Sequence, residues 1–150
     1  MRVLVTGASG FVGTALCREL LARGHTVRAA VRGTAAPEGH PGMHPILVPD
    51  LAARFDRRAL LEDIDVVVHL AAIAHRSAQE AEIRRLNVDA TVRLAEAAGE
   101  SARRFVFLSS VKVHGEDSGE GAYVETAATR PQEAYGRAKL DAERALGEIA

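Results

Sequence analysis

Arg2-Val3-Leu4-Val5-Thr6-Gly7-Ala8-Ser9-Gly10-Phe11-Val12-Gly13 is the stretch that decides the fold. Arg2 to Thr6 is a short apolar run of the kind that forms a buried strand. Three glycines follow at GxxGxxG spacing, close to the GxGxxG of dinucleotide-binding turns. Gly7 lets the chain turn sharply out of the strand. Gly10 lets backbone approach a pyrophosphate, and Gly13 lets a helix pack close to the sheet. The N–H groups at that helix start then face anionic oxygens. A glycine-rich turn with no ligand is the plainer alternative. The position between a first strand and a first helix favours the ligand. No GKS or GKT follows the glycines, which disfavours a nucleoside-triphosphate loop.

Beyond this stretch, Thr14 to Arg23 reads as a helix with Gly24 as its C-cap. Thr26 to Val31 reads as a second strand. Arg32 to Pro45 is rich in glycine and proline and reads as loop. Ile46 to Val48 is a short third strand, and Arg54 to Leu61 a short helix. Asp65 to Leu70 is a fourth strand. Ala78 to Gly99 contains a long helix with Asn87 inside it. Arg103 to Ser109 is a fifth strand, and Gly115 to Arg130 a polar surface loop. A last helix opens at Pro131 or just after it and runs to Ala150. Strands alternating with helices predict a doubly wound parallel sheet in a three-layer α/β/α arrangement.

Composition agrees. The 150 residues suit one domain, and 47% are hydrophobic, with only 4% aromatic and no tryptophan. An aliphatic core of this kind fits a parallel sheet covered by helices. Nineteen basic and twenty acidic residues give a net charge of -1. That balance offers no footprint for nucleic acid or for a membrane surface. No stretch is long and uncharged enough to span a bilayer, and no leader is visible, so the cytoplasm is the default location. The single cysteine, Cys17, has no partner for an internal disulfide and reads as a small apolar helix residue. His40, His44, His69 and His75 come with no cysteine or carboxylate at ligand spacing, so no metal site is expected.

Three further features carry chemistry. Arg32 stands just past the second strand, where a carboxylate would bind the adenosine ribose 2′-hydroxyl. Its guanidinium suits a 2′-phosphate instead, which tilts the cofactor expectation from NAD toward NADP. A solvent-facing loop arginine is the alternative. Asp50, followed by Leu51, is placed either to touch adenine or to cap the helix that follows. Tyr135 and Lys139 are four apart, so a helix puts both on one face. An ammonium beside a phenol favours the phenolate, which makes such a pair a general acid or base. Ser110 lies past the carboxyl end of the fifth strand, where ligands of such sheets bind. Its hydroxyl is placed to orient a substrate oxygen.

Together these motifs resemble the extended short-chain dehydrogenase/reductase family. Thr6 to Gly13 is similar to its nucleotide motif. His69-Leu70-Ala71-Ala72, Asn87, Ser109-Ser110-Val111-Lys112-Val113-His114-Gly115 and the YxxxK of Tyr135 to Lys139 follow in family order across the whole chain. The resemblance implies a Rossmann fold with Ser110, Tyr135 and Lys139 as the catalytic set. It implies a cofactor site drawing on Gly7, Ser9, Gly10, Phe11, Val12 and Gly13. Arg32, Asp50, Leu51, Leu70, Ala71, Ala72, Asn87 and Ser109 complete that site, with Tyr135 and Lys139 shared. The branch it most resembles is the NAD-dependent epimerase/dehydratase group, which acts on nucleotide sugars, here at C4. A homodimer through the Tyr-Lys helix and the long helix before it is also implied.

Departures matter too. Val31 stands where NAD-specific members carry Asp. Val111 and Lys112 stand where dehydratase members carry Asp-Glu, which argues against dehydration. Family members are much longer, so residues 1–150 are expected to be the NAD(P)-binding portion without the last strands and the substrate domain. If the chain is complete, its last helix lacks part of its packing surface, and Leu140, Leu146 and Ile149 are expected to stay exposed and to favour self-association. Two other readings stand beside the sugar enzyme: a reductase of a non-sugar carbonyl, and a non-catalytic NAD(P)-binding redox sensor.

Overall fold

The computed structural model describes residues 1–32, 41–74 and 78–149. Part of the loop expected after the second strand, with His40, His75 and Ala150, lies outside the described residues. Among the described residues five strands form one sheet: β1 (Arg2–Thr6), β2 (Thr26–Val31), β3 (Met43–Leu47), β4 (Val66–His69) and β5 (Arg104–Phe107). All pairings are parallel, in the order β3-β2-β1-β4-β5. The winding direction reverses between β1 and β4, which makes their carboxyl ends the topological switch point. This is the Rossmann-type α/β sheet with flanking helices that the alternation predicts. The helices are α1 (Phe11–Ala22), α2 (Arg58–Leu61), α3 (Glu80–Arg84), α4 (Ala90–Gly99) and α5 (Ala134–Ile149).

The chain divides into two compact units, Met1–Ala71 with Arg93–Leu108, and Ala72–Val92 with Ser109–Ala150. The first unit holds the whole sheet with α1 and α2. Pleating sends Val3, Val5, Val27, Ala29 and Val31 to one face, where α1 meets them with Cys17 and Leu21. Gly13, Cys17 and Leu21 recur every four residues, so one stripe of α1 is buried. Each fully buried valine or leucine adds about 1.5–3 kcal/mol. Burial pushes the Cys17 thiol up from its ordinary value, in keeping with an inert core residue. Leu4, Thr6, Val67 and His69 point to the opposite face and are also buried.

Several boundaries differ from expectation, each for a local reason. Helix α1 starts at Phe11, not Thr14, because extended Gly10 already accepts from the Thr14 N–H at 2.9 Å. At its other end Gly24 adopts φ +75, the left-handed turn a helix C-terminus favours. Strand β3 begins at Met43 and contains Pro45, which the glycine- and proline-rich stretch hid. An edge strand tolerates a proline, since it needs ladder bonds on one side only. The expected helix from Arg54 shrinks to Arg58–Leu61. The Arg57 guanidinium takes the carbonyls of Leu51, Ala53 and Phe55, and the Asp56 carboxylate accepts from the Arg58 N–H. The strand expected over Arg103 to Ser109 is confined to Arg104–Phe107.

In the second unit, α5 packs on α3, on a π-helical turn at Arg85–Asp89, and on a 3₁₀ turn at Val111–Val113. Ile83, Val88 and Ala138 form its core, with Ile73, Ala78 and Ala134 around them. Ion pairs Arg84–Asp141 and Arg137–Glu80 join α3 to α5 at the surface, each worth roughly 0–1 kcal/mol. Leu140 is buried and Leu146 half-buried, contrary to the expectation that they stay exposed, while Ile149 is exposed. Residues 115–130 form neither helix nor strand, as predicted. Among the described residues no helix is long and apolar enough to cross a membrane.

Candidate active site

In the first unit, the glycine turn brings three pieces of backbone into close contact. Gly7 has φ +68, and a Cβ there would sit 2.9 Å from the Ala71 nitrogen. A Cβ on Gly13 would sit 2.1 Å from the Gly7 carbonyl oxygen and 2.8 Å from Ala8 Cα. The Gly10 N–H donates to that same Gly7 oxygen at 3.0 Å. Only glycines allow β1, the segment after β4, and the start of α1 to approach so closely. The N-terminus of α1 has no side-chain cap and no acidic residue in its first turn. Its first-turn N–H groups therefore face outward with a partial positive charge. Phe11 beside them is 96% exposed, and Ser9 and Val12 are exposed as well. An uncapped helix start behind a glycine turn fits a pyrophosphate.

Thr6 and His69 were not singled out as functional by the sequence, and they brace this turn. The Thr6 hydroxyl pairs with His69 Nδ1 at 2.7 Å and accepts from the Ala71 N–H at 3.3 Å. Both side chains are buried, and the imidazole lies 6.2 Å from the stacked Phe107 ring. The ends of β1 and β4 are thus tied by side chains as well as by the ladder. Leu70 is half-buried beside them.

Arg32 is exposed immediately after β2. The Asp50 carboxylate accepts from the Ala52 N–H at 2.9 Å, and its carbonyl accepts from the Ala53 N–H at 2.7 Å. Asp50 therefore closes a turn and does not cap a helix. Leu51 is buried in that turn.

The second unit holds the candidate proton-transfer groups. Tyr135 and Lys139 share one face of α5, with Lys139 Nζ 5.8 Å from the centre of the Tyr135 ring. Lys139 is only 2% exposed. Burial lowers its pKa to about 8, against a smaller upward pull from the Glu143 carboxylate. Ser110 is extended and leads into the 3₁₀ turn, its hydroxyl accepting from the Lys112 N–H at 3.3 Å. The Ser109 hydroxyl donates to Glu143. Lys112 pairs with Glu116 and lies 3.9 Å from Glu133. A cavity of about 310 Å³ is lined by Tyr135, Ala134, Ile83, Glu80 and Glu133, among others.

Two further residues make close contacts in this unit. A Cβ on Gly136 would sit 2.6 Å from the Lys112 carbonyl oxygen. The glycine thus lets the first turn of α5 press against the turn that follows Ser110. A glycine inside a helix costs about 1 kcal/mol relative to alanine, a signal readable in the sequence that points to such a contact. Asn87 lies in the π-helical turn, buried, with its amide bonded to Ile73. The Thr91 hydroxyl donates to the Asn87 carbonyl at 2.9 Å. Ala72, next to Ile73, is half-buried. Among the described residues no cluster of His, Cys, Asp or Glu can hold a metal ion.

The family model for the NAD dependent epimerase/dehydratase family matches residues 3–150. The chain belongs to this family. It is 38% identical to the UDP-glucose 4-epimerase of Vibrio cholerae over 99% of its own length and 47% of that protein. It is 34% identical to a 3-beta-hydroxysteroid dehydrogenase of Mycolicibacterium neoaurum, over 95% of this chain and 42% of the relative. Its structure is similar to UDP-glucuronic acid 4-epimerase of Bacillus cereus in complex with NAD. There the TM-score is 0.86 at 30% identity, covering 99% of this chain and 51% of that one. The chain therefore spans about half the length of the relatives it matches.

Proposed function

We propose that these residues are the dinucleotide-binding domain of an NAD(P)-dependent oxidoreductase or epimerase that works on a nucleotide sugar, at the C4 hydroxyl or ketone. The observation that carries this reading is the pairing of Tyr135 with a buried Lys139 on one face of α5. A buried ammonium is expensive to keep without a task. Beside a phenol it favours the phenolate and so lowers the barrier to proton transfer. Tyr135 takes the proton from the reacting hydroxyl or returns it to the carbonyl oxygen. Ser110 donates a hydrogen bond to that same oxygen. The nicotinamide, when bound, supplies the redox chemistry. The glycine turn and the uncapped start of α1 hold the pyrophosphate, and Arg32 reads the adenosine ribose. Binding and orientation are the protein's main contributions beyond the proton. The reading includes a homodimer and a substrate-binding part outside these residues.

The likeness to a steroid dehydrogenase favours a second reading, a reductase or dehydrogenase of a non-sugar carbonyl or alcohol. A non-catalytic redox sensor has no need of Tyr135 above a buried lysine. A panel of UDP-, GDP- and dTDP-linked sugars and a 3-hydroxysteroid separates these readings. The chain, alongside any longer product that contains it, is incubated with each compound and NAD(H) or NADP(H). Mass spectrometry and proton NMR follow the products. An isomer of unchanged mass identifies an epimerase, and gain or loss of two hydrogens a dehydrogenase or reductase. Steroid turnover alone supports the second reading. Turnover by Tyr135→Phe at the parent rate overturns the proposed chemistry.

A further inference from the structure

Glu143 stands one turn beyond Lys139 on α5 and is half-buried. Its carboxylate accepts a hydrogen bond from the Ser109 hydroxyl, 34 positions earlier in the chain. Ser109 precedes Ser110, and Lys139 follows Tyr135 by one turn. One carboxylate thus touches the serine segment and lies on the same face as the lysine. We propose that Glu143 is a positioning residue, which anchors the Ser109–Ser110 segment to α5 and places a fixed negative charge one helical turn from the Lys139 ammonium. The Ser109 bond fixes where the carboxylate sits, and a fixed negative charge near a buried cation offsets its lost hydration.

The other charged groups on elements packed against α5 are engaged elsewhere or outward. Glu80 pairs with Arg137, Arg84 with Asp141, and Lys112 with Glu116, while Glu133, just before α5, lies 3.9 Å from Lys112. Glu82 and Arg85 are exposed, and Asp89 is half-exposed on the π-helical turn. The Glu143 carboxylate pulls the Lys139 pKa upward, against the larger effect of burial. A neutral Lys139 gives no electrostatic help to a phenolate, so the role of Glu143 in the chemistry rests on the reading of Tyr135 and Lys139 above.

The test reads Lys139 directly and needs no cofactor or substrate. Lysine side chains labelled with ¹³C at Cε are titrated by NMR in the chain, with Lys139→Met assigning the signal. Glu143→Gln keeps the size and can still accept from Ser109, but it loses the charge. The Lys139 midpoint is expected to fall by at least half a pH unit. Glu143→Asp keeps the charge on a shorter arm and is expected to recover part of that fall. Ser109→Ala removes the anchor alone and is expected to lower the midpoint less than Glu143→Gln does. If Glu143→Gln does not fold, the Glu143→Asp and Ser109→Ala midpoints decide by themselves. A midpoint unchanged in every folded variant overturns the proposal. Since dinucleotide binding and turnover are separate measurements, that outcome leaves the proposed function standing, and their failure leaves this one standing.

Discussion

The Asn87 side chain satisfies both backbone polar groups of Ile73. Its Oδ1 accepts from the Ile73 N–H at 2.8 Å, and its Nδ2 donates to the Ile73 carbonyl at 2.9 Å. One amide thereby completes, in the manner of a strand neighbour, a segment that has left the sheet. The π-helical turn that carries Asn87 is the kind of local bulge often kept where a side chain must be re-aimed. Replacing the amide by a carboxylate separates the two bonds. Asn87→Asp still accepts from the N–H but opposes the Ile73 carbonyl with negative charge. We expect a loss of about 1–3 kcal/mol at neutral pH, the cost of an unsatisfied buried group. The loss should shrink as pH falls toward the carboxylate pKa, because the protonated acid regains a donor. Thermal midpoints of parent and variant from pH 8 to pH 4.5 check this. A constant gap across that range refutes the two-bond account.

Gly13 is the tightest point of the glycine turn, where an added methyl meets the Gly7 oxygen at 2.1 Å. Gly13→Ala must push α1 away from the end of β1. Overpacking against backbone costs about 3 kcal/mol or more. In a domain of this size that lowers the thermal midpoint by roughly 6–12 °C. Calorimetry of the two proteins decides, and a midpoint within 2 °C of the parent, on the same scale, would falsify the close-packing reading.

Lys139 makes stability depend on pH in a particular direction. Its folded pKa, about 8, lies below the ordinary lysine value of 10.5. Below about pH 8 both folded and unfolded chains carry the proton, and the full burial penalty applies. Between about 8 and 10.5 the unfolded chain binds more protons, so stability contributed by this group rises with pH. The penalty relieved is about 3 kcal/mol, from roughly 1.4 kcal/mol per pKa unit. Lys139→Met should therefore be more stable than the parent at pH 7, with the advantage fading toward pH 10.5. Urea titrations at four pH values measure it. Parallel curves for parent and variant rule out a depressed lysine.

The proposed role of Arg32 in cofactor choice has a direct test. If its guanidinium grips the adenosine 2′-phosphate, Arg32→Ala loses a charge-assisted bond worth about 1.5–3 kcal/mol. NADP binding should weaken roughly 10- to 100-fold, with NAD binding little changed. Calorimetric titration with each dinucleotide reads the difference. Equal weakening for both means that Arg32 does not read the phosphate.

The run from Arg2 to Gly13 and the alternation after it were enough to place the five strands, their order in the chain, and the helices between them. Period-2 and period-3.6 patterns are local, so a sequence displays them directly. The Tyr135–Lys139 pair was legible for the same reason, since four residues on a helix make one face. Element ends were less legible. The start of α1 depended on the conformation of Gly10, and the start of β3 on an edge position that tolerates Pro45. What the sequence left undetermined joins residues far apart in the chain. Thr6 meets His69, Ser109 meets Glu143, Ile73 meets Asn87, and Gly136 meets the Lys112 carbonyl only after folding. None of these pairs has a spacing that marks it, because strand order and helix packing decide which distant residues meet. The burial that lowers the Lys139 pKa belongs to the same class. Desolvation depends on everything packed around a group, and only the tertiary structure supplies those neighbours.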